Sequence, residues 1–233
     1  MRGWNKRDTI KKKIAVCLNS ILGRFGLVLC STIMNTSQKR PPYILKTYDF
    51  VRWSALELIA HEIYENNRMG AVAELGVFQG DFAKIINRAF PDRKLYLFDT
   101  FEGFSEKDID VEKKMNVSSE RHDFSNTSID IVLKKMAYPE NIIIKKGYFP
   151  ETAEGLEETF VFVSLDADLY EPLYNGLKYF YPRLANGGYI MIHDYNNIEY
   201  TGAKEAVKQF SQETGIPYFP LPDNCGSVVF LHS

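Results

Sequence analysis

Cysteine is scarce in this 233-residue chain: Cys17, Cys30 and Cys225 are odd in number, far apart and form no CxxC pair. That excludes a disulfide framework and points to a reducing compartment, so a cytoplasmic location is expected. No run reaches the roughly 18 uncharged apolar residues of a membrane span. The nearest approach, IAVCLNSILGRFGLVLCSTIM (14–34), follows Lys11-Lys12-Lys13 but is interrupted by Asn19, Ser20 and Arg24. No clear cleavage site follows it, so a secretory signal is not expected. Internal repeats, low-complexity tracts and the GxGxxG of dinucleotide enzymes are also missing.

What is present is globular in composition, with 45% hydrophobic and 25% charged residues. The net charge of −2 gives no argument for a polyanionic partner, and no nucleic-acid partner is expected. The average hides an asymmetry. Of the 28 Lys/Arg, ten lie in residues 1–46, against one of the 30 acids, Asp8. A basic extension (1–42, helical in pattern) thus precedes an acidic body (43–233), with Pro41-Pro42 at the joint. The extension could touch the inner face of an anionic membrane, pack on its own domain, or join a neighbouring subunit in a homo-oligomer.

Apolar residues recur at helical spacing from Tyr48 to Asn66 (Phe50, Trp53, Leu56, Ile59, Ile63). Strands and helices then alternate. AVAELGV (71–77), KLYLFD (94–99), NIIIKKG (141–147), FVFVSLD (160–166), GGYIMIHD (187–194) and CGSVVFLH (225–232) read as strands. Residues 80–90, 128–137, 151–158, 170–184 and 201–214 read as helices, and 100–125 as a polar, irregular segment long enough to act as a lid. Strands rich in Val, Ile and Phe without alternation are buried on both faces. The pattern predicts an α/β fold: a doubly wound, Rossmann-like, mostly parallel sheet with helices on both faces.

Ligands of such sheets bind beyond the carboxyl ends of the strands. The first strand ends in Glu74-Leu75-Gly76-Val77-Phe78-Gln79-Gly80-Asp81, where Gly76 and Gly80 permit a tight turn and close approach of backbone to a ligand. A carboxylate before the turn suits a ligand carrying ammonium or sulfonium charge. Asp99, ending the second strand, is placed to accept hydrogen bonds from ribose hydroxyls. Asp166 and Asp168 stand where the fourth strand stops, a charged pair that must be open to solvent, paired or bound to a metal. Asp168 fits equally a helix N-cap and a site residue.

These features, with LFDTFEGF (97–104), KGYFPET (146–152) and SLDADLYEP…YPRLANGGYIMIHDY (164–195), resemble the macrocin O-methyltransferase family over residues 43–231. The resemblance implies a class I methyltransferase that uses S-adenosylmethionine and Mg²⁺ to methylate hydroxyls of sugars or glycosides. It implies that Glu74, Gly76, Gly80 and Asp99 hold the methyl donor. It further implies that Asp166 and the pair after strand five hold the metal. That pair is His193-Asp194 here, where the family has two aspartates. Three readings follow: His193 as ligand, a water in place of the lost carboxylate, or a softer metal than Mg²⁺.

A metal is useful because a sugar hydroxyl is a poor nucleophile until a cation lowers its pKa and fixes its oxygen. His122, in the polar segment, and Asp168 are the candidates for general base. Tyr170 and Tyr195, flanking the acids, fit either sugar stacking or packing, and His61 fits the surface. An NAD-dependent or nucleotide-sugar oxidoreductase, or a silent binding module on the same sheet, are the alternatives.

Overall fold

The computed structural model describes residues 14, 17–25, 50–115 and 124–233. Pro41-Pro42 and His122 lie outside these residues, as does most of the basic extension. Strands β1 (Ala71–Leu75) and β4 (Phe160–Leu165) are buried at every position, as their unbroken apolar runs require. They join β2 (Leu95–Asp99), β3 (Ile142–Lys146), β5 (Leu184–Ile192), β6 (Phe219–Leu221) and β7 (Ser227–Leu231) in one sheet, ordered β3-β2-β1-β4-β5-β7-β6. Neighbours from β3 to β5 are parallel, while β7 runs antiparallel to both β5 and β6. This is the α/β, doubly wound sheet that the apolar patterning predicts.

The helices are α1 (Phe50–Glu65), α2 (Ala83–Ala89), α3 (Glu106–Met115), α4 (Ile129–Leu133), α5 (Tyr170–Phe180) and α6 (Gly202–Thr214). Leu56 and Ile63 of α1 and Ile86 of α2 pack with Val72, Leu97 and Phe162 on one face of the sheet. Leu173, Leu177 and Phe180 of α5 and Val207 of α6 pack with Ala73, Phe98 and Val163 on the other. Alternation along the strands decides what faces the site. Glu74 and Ser164 follow Val72 and Phe162 onto the α1 side, so a polar side chain from α1 can reach them. The strand order reverses between β1 and β4, and their carboxyl ends open a crevice there.

Four local readings need correction. The segment 100–125 is not simply irregular: it contains α3, whose inward positions are carboxylates and so escape an apolar count. Asp108 accepts a hydrogen bond from the Tyr148 hydroxyl (3.0 Å), and Glu112 from the Tyr170 amide (2.6 Å). The helix read over 151–158 is a single 3₁₀ turn, Glu151–Ala153, before Gly155 takes a left-handed φ of 68°. The helix read to residue 184 ends at Phe180, since Pro182 has no amide hydrogen to continue it. Strand β6 was not expected; its Pro220 is accommodated because the strand lies at the sheet edge. Among the described residues no helix is long and apolar enough to cross a membrane.

Candidate active site

A cavity of about 350 Å³ occupies the crevice, within the size range of small-molecule sites. Glu74, Gly76, Asp99, Asp166, Asp168, His193 and Asp194 all line it. Residues from the ends of four strands therefore meet in one chamber.

The glycines of the first turn are required by backbone as much as by any ligand. Gly76 has φ +83°, and a Cβ there would stand 2.3 Å from the Asp166 carbonyl oxygen. Gly80, at φ +75°, instead faces Val132 and Met136 of the region around α4. Asp99 fixes the same turn. Its Oδ2 accepts from the amides of Val77 (2.6 Å) and Phe78 (2.9 Å), and its Oδ1 from Phe101 (2.6 Å). A carboxylate has about four acceptor positions, so one on Oδ1 is left for a ligand hydroxyl.

Glu74 is 1% exposed, and its Oε2 finds no hydrogen-bond partner among the described residues. Burial, and then the nearby Asp166, push its carboxyl well above the usual range, with Arg52 opposing. A buried oxygen with no partner is costly unless something cationic or hydrogen-bonding arrives to satisfy it. Arg52 reaches the site from α1. It donates to Asp166 Oδ2 (3.0 Å) and Ser164 Oγ (3.3 Å), and its guanidinium lies 3.6 Å from the centre of the Phe82 ring.

Asp166, His193 and Asp194 form the second half of the site, one donor atom from each lying within 4.8 Å of the others. The Nε2–H of His193 donates to the Asn224 carbonyl (2.8 Å), which can only accept. Nδ1 therefore faces inward, 3.1 Å from Asp166 Oδ1 and 2.9 Å from Asp194 Oδ2. Burial and Arg52 oppose protonation of His193, but the two carboxylates outweigh them and hold its pKa well above the ordinary value. Asp194 lies well below the carboxylate range: burial opposes this, but the His193 cation and hydrogen bonds prevail. The three side chains fit a divalent cation, because two carboxylates and an inward nitrogen are all potential ligands.

Asp168 is not the helix cap. Leu169 holds the N-cap position of α5, while Asp168 takes a left-handed φ of 60° and turns its carboxyl to Asp194. Burial, then Asp194 and Asp166, raise its pKa well above the usual range. Asp194 is left-handed too, with φ 59°. Such conformations are uncommon outside glycine, and their clustering here marks a site whose geometry is imposed by its surroundings.

A family model of macrocin O-methyltransferases matches residues 35–224. The chain belongs to the macrocin O-methyltransferase family. It is thereby an enzyme of the O-methyltransferase class. Among curated members, the 8-demethyl-8-(2,3-dimethoxy-alpha-L-rhamnosyl)-tetracenomycin-C 4'-O-methyltransferase of Streptomyces olivaceus is 25% identical over 77% of this chain and 72% of its own. The mycinamicin III 3''-O-methyltransferase of Micromonospora griseorubida is 28% identical over 63% and 62%, respectively. The solved structure of the O-methyltransferase NovP shares the fold, with a TM-score of 0.63 at 18% identity over 97% of this chain and 99% of that one.

Set against this macrocin O-methyltransferase frame, seven of the expected site residues share the cavity lining. Gly80 stands behind it, and His122 is outside the described residues. Tyr170 stacks on Tyr174 and Tyr195 hydrogen-bonds Tyr218 (2.8 Å), both in packing roles. His61 pairs with Glu65 on the surface. Sequence reading missed Arg52, which sits in α1, 114 residues before its partner. It also missed Asp108, which lines the same cavity. A cation at a position of α1 that faces the sheet was the one available signal for Arg52.

Proposed function

We propose that this chain transfers a methyl group from S-adenosylmethionine to a hydroxyl of a sugar or glycoside, with a divalent cation at Asp166, His193 and Asp194. One observation carries the reading: the unsatisfied Glu74 carboxyl and the Asp166–His193–Asp194 cluster open into a single cavity. The first suits the cationic methionine end of the donor, and the second suits the acceptor. The glycosides named for the two curated relatives support the acceptor class.

In this scheme Glu74 faces the ammonium and sulfonium charge, and the free position on Asp99 Oδ1 takes a ribose hydroxyl. When bound, a divalent cation lowers the pKa of a sugar hydroxyl and holds its oxygen in place. Asp168 takes the hydroxyl proton, its raised pKa making it a stronger base than an ordinary carboxylate once ionised. The S–CH₃ bond breaks as the O–CH₃ bond forms, and the sulfonium leaves as the neutral thioether.

The test is methyl transfer to a panel of glycosides, with products located by mass spectrometry. A product one methylene heavier is expected from the native enzyme with divalent metal. Undiminished product from Asp166→Asn, or after chelation, would remove the metal from the scheme.

A further inference from the structure

Each donor of the cluster has its outward atom held by a separate partner. Arg52 takes Asp166 Oδ2 (3.0 Å), Asn197 Nδ2 takes Asp194 Oδ1 (2.9 Å), and the Asn224 carbonyl takes His193 Nε2 (2.8 Å). Partners of this kind orient metal ligands and fix which imidazole nitrogen is free. Here they leave Asp166 Oδ1, Asp194 Oδ2 and His193 Nδ1 turned toward one another. Nδ1 stands 3.1 and 2.9 Å from the two oxygens. Neighbouring ligands of an octahedral ion with bonds of about 2.1 Å are about 3.0 Å apart. These are also the hydrogen-bond distances of the ion-free cluster, so a cation entering here displaces the Nδ1 proton and meets three atoms already at the spacing of adjacent ligands.

We infer that His193 ligates the cation through Nδ1, and that the site prefers Mn²⁺ and later first-row divalent ions to Mg²⁺. The inference rests on the methyltransferase reading of the cavity. Its physical ground is the donor set. Mg²⁺ favours oxygen ligands and dehydrates reluctantly, whereas imidazole nitrogen suits the transition ions. One carboxylate exchanged for imidazole also lowers the negative charge of the ligands from three to two, which weakens the hold on an ion bound mainly by charge. The main-chain carbonyl of Asn224 is the outer partner that keeps Nδ1 inward, and no side-chain substitution at 224 removes it.

The full-length, metal-stripped chain is titrated by calorimetry with MgCl₂ and with MnCl₂, native and as His193→Asp, which restores an all-carboxylate set. Oxygen-only sites already favour Mn²⁺ somewhat, so the diagnostic is the change in the ratio of the two dissociation constants. The native ratio is expected to exceed that of His193→Asp by about tenfold or more. Pulsed electron paramagnetic resonance of the Mn²⁺-loaded native chain is expected to show coupling to an imidazole nitrogen. That measurement decides the matter even if His193→Asp does not fold. Absence of nitrogen coupling, or of Mn²⁺ binding, overturns the inference. S-adenosylhomocysteine binding by the same sample keeps a failure of the metal assignment distinct from a failure of the methyltransferase reading.

Discussion

Replacing Arg52 by leucine tests the electrostatic frame of the site. Arg52 and Asp166 are side chains only 7% and 22% exposed, joined at 3.0 Å. Losing the guanidinium leaves Asp166 beside the carboxyls of Glu74 and Asp194, with His193 as its remaining cation. Breaking a buried pair by removing one partner costs roughly 3–5 kcal/mol, most of it from the stranded charge. For a chain of this size each kcal/mol lowers the melting temperature by roughly 2–4 °C, so a fall of about 6–20 °C is expected in the absence of metal. Scanning calorimetry at neutral pH reads this directly. Asp166→Asn in the Arg52→Leu background should recover much of the loss, because it removes the stranded charge. If the double variant is no more stable than Arg52→Leu, the loss comes from packing on Phe82 and the charge argument is wrong.

Other consequences concern the turn and α3. Gly76→Ala places a Cβ 2.3 Å from rigid backbone at a left-handed φ, and should cost about 3–5 kcal/mol. Gly80→Ala meets only side-chain atoms, of Val132 (3.0 Å) and Met136 (3.3 Å), and should cost about 1–2 kcal/mol; denaturant titration separates the two. Burial raises the Asp108 carboxyl from 3.8 to about 6 despite the Tyr148 hydrogen bond. The folded chain therefore keeps this proton where the unfolded chain has lost it. The stability from Asp108 is full below about pH 4 and is lost as pH rises through about 6. Asp108→Asn should accordingly gain on the native chain between those values, by roughly 2 kcal/mol after discounting for solvent, and stay level above them. A gap in melting temperature that ignores pH would contradict this.

The sheet was legible because its strands are apolar at consecutive positions, and only burial on both faces satisfies such runs. Asp166 was legible because charge at the end of a buried strand needs a partner, whereas His193 and Asp194 were singled out only by the resemblance of their surroundings to the macrocin O-methyltransferase family. The parts not legible share a physical cause: their packing is polar. The sequence EKDIDVEKKM of α3 has few apolar residues, yet its Asp108 and Glu112 are buried on hydrogen bonds from a hydroxyl and an amide. Arg52 likewise reads as a surface cation in sequence, although α1 turns it toward the carboxyl end of β4 and onto Asp166. The role of Asp168 turned on one backbone angle, since a left-handed φ takes it out of the cap and into the site.

The central proposal is one chamber that holds a methyl donor at Glu74 and Asp99. The most direct measurement is a calorimetric titration of the full-length chain with S-adenosylhomocysteine, which needs no knowledge of the acceptor. The expected result is saturable binding of one molecule per chain, competed by S-adenosylmethionine and sharply weakened by Asp99→Ala and by Glu74→Ala. No binding by the folded native chain, or binding indifferent to both substitutions, would contradict it.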